Sequence, residues 1–341
     1  MTTPTQVDSE KHLFTGPMEL PASHAFDALA DCLNRSLPLL DQLETERRRA
    51  WRTYYGDKTE ENLEEARTIS DSIVIDYLDP LARQVGELTP NLPKGDPAKL
   101  FPHLSVSTPM DAPSHNERMI RWLLERKKGI GGSDVLAALD MDKGKPWSRS
   151  QQDLIQEKNT FTLTDKEWEQ VVQGNSGATL WGSNWEPAIA HMYMNVSGFT
   201  VYEVKETLHS DRHPWQTVNV DGVIETDTGT IGILEVKTSQ RGWRNGEIPK
   251  GYRAQVMNYL DATGCPFADI ICMTGTSRID VYRIVRGSSI NGVPWDECVS
   301  ILNGAWNTVL KNFKNQYDEP RDKVIEDAVQ AVLKDARNCK K

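Results

Sequence analysis

Apolar positions recur every three or four residues over 25–88, where Phe26, Leu29, Ala30 and Leu33 form one stripe, and this spacing predicts helices. Pro38 is expected to break the first run, which resumes over 39–55, and the acidic stretch from Thr59 opens another helix through Ile69, Ile73 and Leu78. Residues 1–22, polar and Pro-punctuated, read as a mobile lead. Six prolines between Thr89 and Pro113 argue against any regular element and predict a linker or surface strap. Helical spacing returns over 115–128, 135–139, 147–159 and 165–173, and Pro187 suits the first turn of a further helix or a kink, leaving Glu186 near a helix N-terminus. Period-two runs predict strands over 199–209, 268–274 and 279–285, the last two joined by a turn at Thr276 and Ser277. The tail over 295–338 reads as helical, interrupted at Pro320.

The most informative stretch is 219–238. Apolar runs at 218–224 and 231–236 flank Thr226-Asp-Thr-Gly229-Thr, a composition that suits a tight β-hairpin turn. Glu235 and Lys237 stand two apart and so point to one face, and Asp221 lies where the first strand runs beside them. A Glu-x-Lys pair is commonly just a solvated strand face worth little. Here it is embedded among Ile231, Ile233, Leu234 and Val236, and charges set among such neighbours need partners or a metal. Carboxylate oxygens suit Mg²⁺ or Mn²⁺, and an adjacent ammonium can orient an attacking water or offset phosphate charge.

Length and composition narrow the class. A chain of 341 residues with 26% charged and 38% hydrophobic residues fits an ordinary globular protein with one large core plus an accessory region, or two domains. No apolar run is long enough to span a membrane and the N-terminus lacks a signal-peptide pattern, so a cytoplasmic protein without membrane contact is expected. Five scattered cysteines without a C-x-x-C pair suit reduced thiols and argue against a zinc or iron–sulfur framework. The net charge of −10 excludes coating of nucleic acid by bulk electrostatics, but not local basic patches.

One such patch is the basic helix end Arg126-Lys127-Lys128, followed by Gly129-Ile-Gly131-Gly132-Ser133-Asp134. Cationic side chains, a glycine loop and a serine expected at the next N-cap can build an anion site, although a routine helix C-cap and N-cap give the same pattern. The loop is not a Walker motif. Gln255 and Tyr259, at i and i+4, share a helical face. Arg47 to Arg49 read as a solvated helix face, and His191, His209 and His213, lacking ligand spacing, as structural.

Taken in order, Ile130-Gly-Gly-Ser133, Trp185-Glu186-Pro187, Asp221-Gly222, Leu234-Glu235-Val236-Lys237-Thr238 and Tyr252-x-x-Gln255-x-x-x-Tyr259 resemble the YqaJ / lambda-exonuclease family of viral recombinases, within the PD-(D/E)xK nuclease superfamily. The resemblance covers about 118–285, and it departs from the family pattern at Val220, where proline is usual. It implies an α/β fold: a PD-(D/E)xK core, a mixed central sheet flanked by helices, with an α-helical N-terminal extension. The corresponding division is a helical extension over 1–88, a Pro-rich linker over 89–113, a nuclease core over 114–290 and C-terminal helices over 291–341. It also implies metal ligation by Glu186, Asp221, Glu235 and the Val236 carbonyl, catalysis by Lys237 with Gln255 on the helix packed against the site, DNA contact at Tyr259, and a 5′-phosphate pocket at Arg126 and Ser133. The expected activity is Mg²⁺-dependent (or Mn²⁺-dependent) two-metal 5′→3′ hydrolysis of double-stranded DNA ends, resecting them for phage or mobile-element recombination. Family partners would be a single-strand annealing protein and two further copies in a homotrimeric ring. The alternatives are another endonuclease of the superfamily and a non-catalytic DNA-end-binding protein; a Cas4/AddB-type branch is disfavoured by the missing cysteine quartet.

Overall fold

The computed structural model describes residues 10–106, 115–127, 129–140, 149–160, 162–173, 177–213, 215–239, 242–243, 246–275, 278–289, 293–312 and 329–330. Lys128, the turn at 276–277, residues 107–113 of the proline-rich stretch and the break at Pro320 lie outside them. In chain order the described elements are β1 (Glu10–Pro17), α1 (Asp27–Gly56), α2 (Glu60–Ile73), α3 (Asp79–Leu88), α4 (Pro97–Leu100), β2 (Leu104–Val106), α5 (His115–Lys127), α6 (Val135–Ala138), α7 (Gln151–Lys158), α8 (Asp165–Gln173) and α9 (Gly177–Ser197). They continue with β3 (Thr200–Tyr202), β4 (Leu208–Ser210), β5 (Thr217–Val218), β6 (Gly222–Glu225), β7 (Ile231–Ser239), α10 (Lys250–Thr263), β8 (Phe267–Thr274), β9 (Arg278–Val285) and α11 (Trp295–Leu310).

Six strands form the central sheet in the order β1-β9-β8-β7-β6-β3, and β2-β4-β5 form a small second sheet. Only β7 and β8 pair in parallel, and α10 is the crossover that a parallel connection requires. The sheet is thus mixed and flanked by helices, as expected. Its central strands are covered on both faces, which is why β7 and β8 read as nearly continuous apolar runs. Leu234, Val236, Ile271 and Met273 pack with Trp185, Ala188, Ile189 and Met192 of α9. The alternate positions Ile233, Ala268 and Ile270 pack with Val256, Tyr259 and Leu260 of α10. Each fully buried large side chain among these stabilises the fold by roughly 1.5–3 kcal/mol.

The N-terminal region departs from expectation in three ways. Residues 10–17, read as a mobile lead, form an edge strand antiparallel to β9, held by ladder hydrogen bonds that no local pattern announces. Pro38 lies inside the single helix α1 instead of ending a helix. Residues 10–88 also do not keep a core to themselves, since Phe26, Leu29, Leu33, Leu81 and Val85 share one apolar core with α9 and the sheet. The proline-rich strap is partly regular: α4 and β2 lie within it, and Phe101 is buried. The expected strand over 199–209 divides into β3 and β4, which belong to different sheets.

Candidate active site

The β6–β7 hairpin sets the first part of the site. Gly222 pairs with Leu234, so Asp221 and Glu235 fall at neighbouring positions just beyond that pair. The turn closes through Gly229 at φ +76°, a left-handed conformation that glycine adopts without strain. Asp221 Oδ2 accepts a hydrogen bond from the Val236 amide at 2.7 Å, which fixes the carboxylate against the strand carrying Glu235.

Glu235 follows Ile233 by two and therefore faces α10. Its side chain is 1% exposed, while that of Lys237 is 20% exposed, so the ammonium lies at the rim and the carboxyl beneath it. Glu235 Oε1 accepts from Lys237 Nζ and, at 2.6 Å, from Gln255 Nε2. Gln255 Nε2 also donates to the Tyr259 hydroxyl at 3.0 Å, as the shared helical face requires. Tyr252, one turn earlier, lies under the lysine with Nζ 5.2 Å from its ring centroid. The sequence placed Tyr252 in a motif without giving it this task.

Glu186 joins from α9. It lies mid-helix, because α9 runs through Pro187, so the expected position near a helix N-terminus is incorrect. Its carboxyl is raised well above the ordinary carboxylate range, first by burial and then by the neighbouring Asp221 and Glu235. Glu235 is raised too, by burial and then by Asp221, with Lys237 and Gln255 opposing. Burial disfavours the Lys237 ammonium, but Glu235 and Asp221 outweigh it and raise its pKa. Three carboxyl groups held this closely repel one another as anions, and a divalent cation is the natural relief.

The fit to such a cation rests on Glu235 Oε2, a buried oxygen with no hydrogen-bond partner. Among the described residues no three acidic, imidazole or thiol side chains already stand in a metal-binding arrangement. Asp221 Oδ2 and Glu235 Oε1 accept from protein N–H groups. Val236 meets Asp221 through its amide.

A second centre lies on the far side of Tyr259. A pocket of about 150 Å³ is lined by Trp122, Arg126, Ser133, Lys158, Thr217 and Tyr259, among others. Arg126 lies over the Trp122 ring at 4.6 Å, and its Nη2 donates to Ser133 Oγ at 2.9 Å, so the two expected phosphate ligands are in contact. Ser133 is not the N-cap it was expected to be. The cap position is Gly131, whose amide donates to Asp134 Oδ2 at 2.8 Å, which leaves the serine hydroxyl exposed. The loop is zipped to the strand leading towards Asp221 by Ile130 N to Trp215 O at 2.7 Å and Thr217 N to Ile130 O at 3.0 Å. Gly132 is required here, because a Cβ would meet the Tyr259 ring at 2.4 Å. Tyr259, only 3% exposed, thus separates the two centres while touching both. Asp134 and Lys158 escaped the sequence reading; the Asp directly after Ser133 was the available signal.

His191 Nε2 bonds to the Pro90 carbonyl at 3.0 Å, and His209 lies 3.3 Å from Glu125, the structural roles expected of them.

Residues 121–266 match the YqaJ-like viral recombinase domain. This segment resembles that domain. It contains every residue of both centres described above. An uncharacterized protein YqaJ of Bacillus subtilis (strain 168) is 34% identical over 157 residues, which cover 44% of this chain and 44% of that protein. The chain therefore aligns with less than half the length of the curated relative it matches. Among solved structures, an alkaline exonuclease (LHK-Exo) from Laribacter hongkongensis matches with a TM-score of 0.40 and 16% identity, covering 64% of this chain and 98% of that one. The same enzyme in complex with dAMP matches with a TM-score of 0.40 and 15% identity over the same shares of the two chains.

Proposed function

We propose that the chain is a Mg²⁺- or Mn²⁺-dependent deoxyribonuclease that removes nucleotides 5′→3′ from double-stranded DNA ends. The observation that carries this reading is the convergence of Asp221, the buried Glu235 and Lys237 on one hairpin, with Glu186 of α9 close enough to feel both carboxylates. That convergence lies in the segment that matches the YqaJ-like viral recombinase domain, which supports DNA ends as the substrate of this proposal.

Glu186, Asp221, Glu235 and the Val236 carbonyl are the groups that would hold the cation. When bound, it polarises the scissile phosphodiester and makes water acidic enough to yield hydroxide near neutral pH. Lys237, anchored by Glu235 and shelved on Tyr252, presents its ammonium at the rim, where it offsets charge growing on the phosphate. Gln255 holds Glu235 in place from α10. Arg126 and Ser133 grip the terminal 5′-phosphate, with Arg126 as a fork for its oxygens, and the strand end passes Tyr259 on its way to the carboxylates. A homotrimeric ring around DNA and a single-strand annealing partner belong to the same proposal and rest on kinship alone.

The test is digestion of 5′-labelled linear duplex beside a covalently closed circle of the same sequence, with Mg²⁺ and again with a chelator. The expected outcome is labelled mononucleotide from the linear DNA, an intact circle, and no product under chelation. Nicking of the circle would make the chain an endonuclease. Retention of ends without cleavage would make it a DNA-end-binding protein.

A further inference from the structure

Beneath the Arg126–Ser133 pocket lies a buried charge network that the proposed chemistry does not use. Lys158 and Asp134 are each 2% exposed and 2.9 Å apart. Lys158 Nζ also donates to the Arg126 carbonyl at 2.5 Å, capping an orphan acceptor in the last turn of α5. Asp134 takes the Gly131 amide, and Arg149 reaches both Asp134 and, at 2.6 Å, Glu157. Three segments meet at these two side chains: the helix end carrying Arg126, the glycine loop carrying Ser133, and α7.

Burying an ion pair is a poor way to gain stability, because desolvation consumes most of the attraction. What such a pair supplies is fixed geometry, and here it fixes both halves of an anion pocket relative to each other. Lys158 also lines that pocket, so its ammonium lends positive potential to the floor. The Asp134 charge, which alone would repel a phosphate, is held against Lys158, Arg149 and the Gly131 amide.

We infer that Lys158, braced by Asp134, is a positioning residue that sets Arg126 and Ser133 for recognition of a terminal phosphate monoester and so governs discrimination between phosphorylated and hydroxyl DNA ends. The inference rests on the proposed phosphate grip.

The experiment compares initial rates of the full chain on 5′-phosphorylated and 5′-hydroxyl duplexes for the unaltered protein, Arg126→Ala, Lys158→Met and Lys158→Arg. In Lys158→Met the ratio of kcat/KM for phosphorylated over hydroxyl ends is expected to fall on the order of tenfold, the worth of one charge-assisted hydrogen bond. The loss should lie in KM for phosphorylated ends, and Lys158→Arg should restore part of the ratio. If Lys158→Met fails to fold, Asp134→Asn/Lys158→Met removes both charges, leaves none uncompensated, and carries the same expectation. An unchanged ratio, or equal slowing on both ends, would overturn the inference while discrimination lost in Arg126→Ala still upholds the grip. Equal rates of the unaltered protein on both ends would overturn the grip and this inference together.

Discussion

Lys237 illustrates how a single side chain acquires a chemical role from its surroundings. Two neighbours of opposite charge outweigh its burial and hold its pKa above the ordinary lysine value, which favours the ammonium form. In the proposed reaction its contribution is electrostatic, not that of a titrating base. Lys237→Ala is expected to lower kcat on linear duplex by on the order of a hundredfold or more, the cost of deleting one preorganised charge donor, while binding of DNA ends by gel shift stays near that of the unaltered protein. Undiminished kcat in the variant would remove Lys237 from the reaction. The sequence made this residue legible because period-two spacing puts Glu235 and Lys237 on one face whatever the rest of the fold does. It did not make Tyr252 or Gly132 legible, since their work depends on contacts with Lys237 and Tyr259 that arise only once α10 docks.

Among the elements, α5, the glycine loop and α7 are held together by Asp134. Its own burial would raise its pKa, but Lys158, Arg149 and Arg126 outweigh that and hold the carboxyl well below the usual range. A folded-state pKa below the unfolded one contributes stability that is complete above the unfolded value and disappears as pH falls towards the folded one. Asp134→Asn, which strands Lys158, is expected to cost about 3 kcal/mol at pH 7, measured by denaturant unfolding. The difference between the two proteins should shrink as pH drops below about 4, the ordinary Asp value. A gap that stays constant down to low pH would mean that Asp134 is not ionised in the fold. The elements also mark where sequence reading stops. The hairpin, β8 and β9 carry their own periodicity, and their observed bounds lie near the expected ones; for α10 the sequence shows only that Gln255 and Tyr259 share a helical face. The edge strand β1 carries no such signal because its pairing with β9 spans most of the chain, and the path of α9 through Pro187 depends on packing against the sheet.

For the molecule as a whole, a chain of net charge −10 would meet the proposed polyanionic substrate through local features, not through its overall field. Tyr259 lines the Arg126–Ser133 pocket and accepts from Gln255, which in turn holds Glu235, so in the proposed reaction one residue links the phosphate grip to the carboxylates. Both Gln255 and Tyr259 lie on α10, which would tie the proposed recognition of DNA ends to the integrity of the sheet. The central claim is that Asp221 and Glu235, with Glu186, take a divalent cation. The most direct measurement is a calorimetric titration of Mn²⁺ into the full chain and into Asp221→Asn/Glu235→Gln at equal concentration. The account predicts saturable binding by the unaltered protein, abolished in the double variant with its circular dichroism unchanged. Equal uptake by both proteins, or none by the unaltered one, would contradict it.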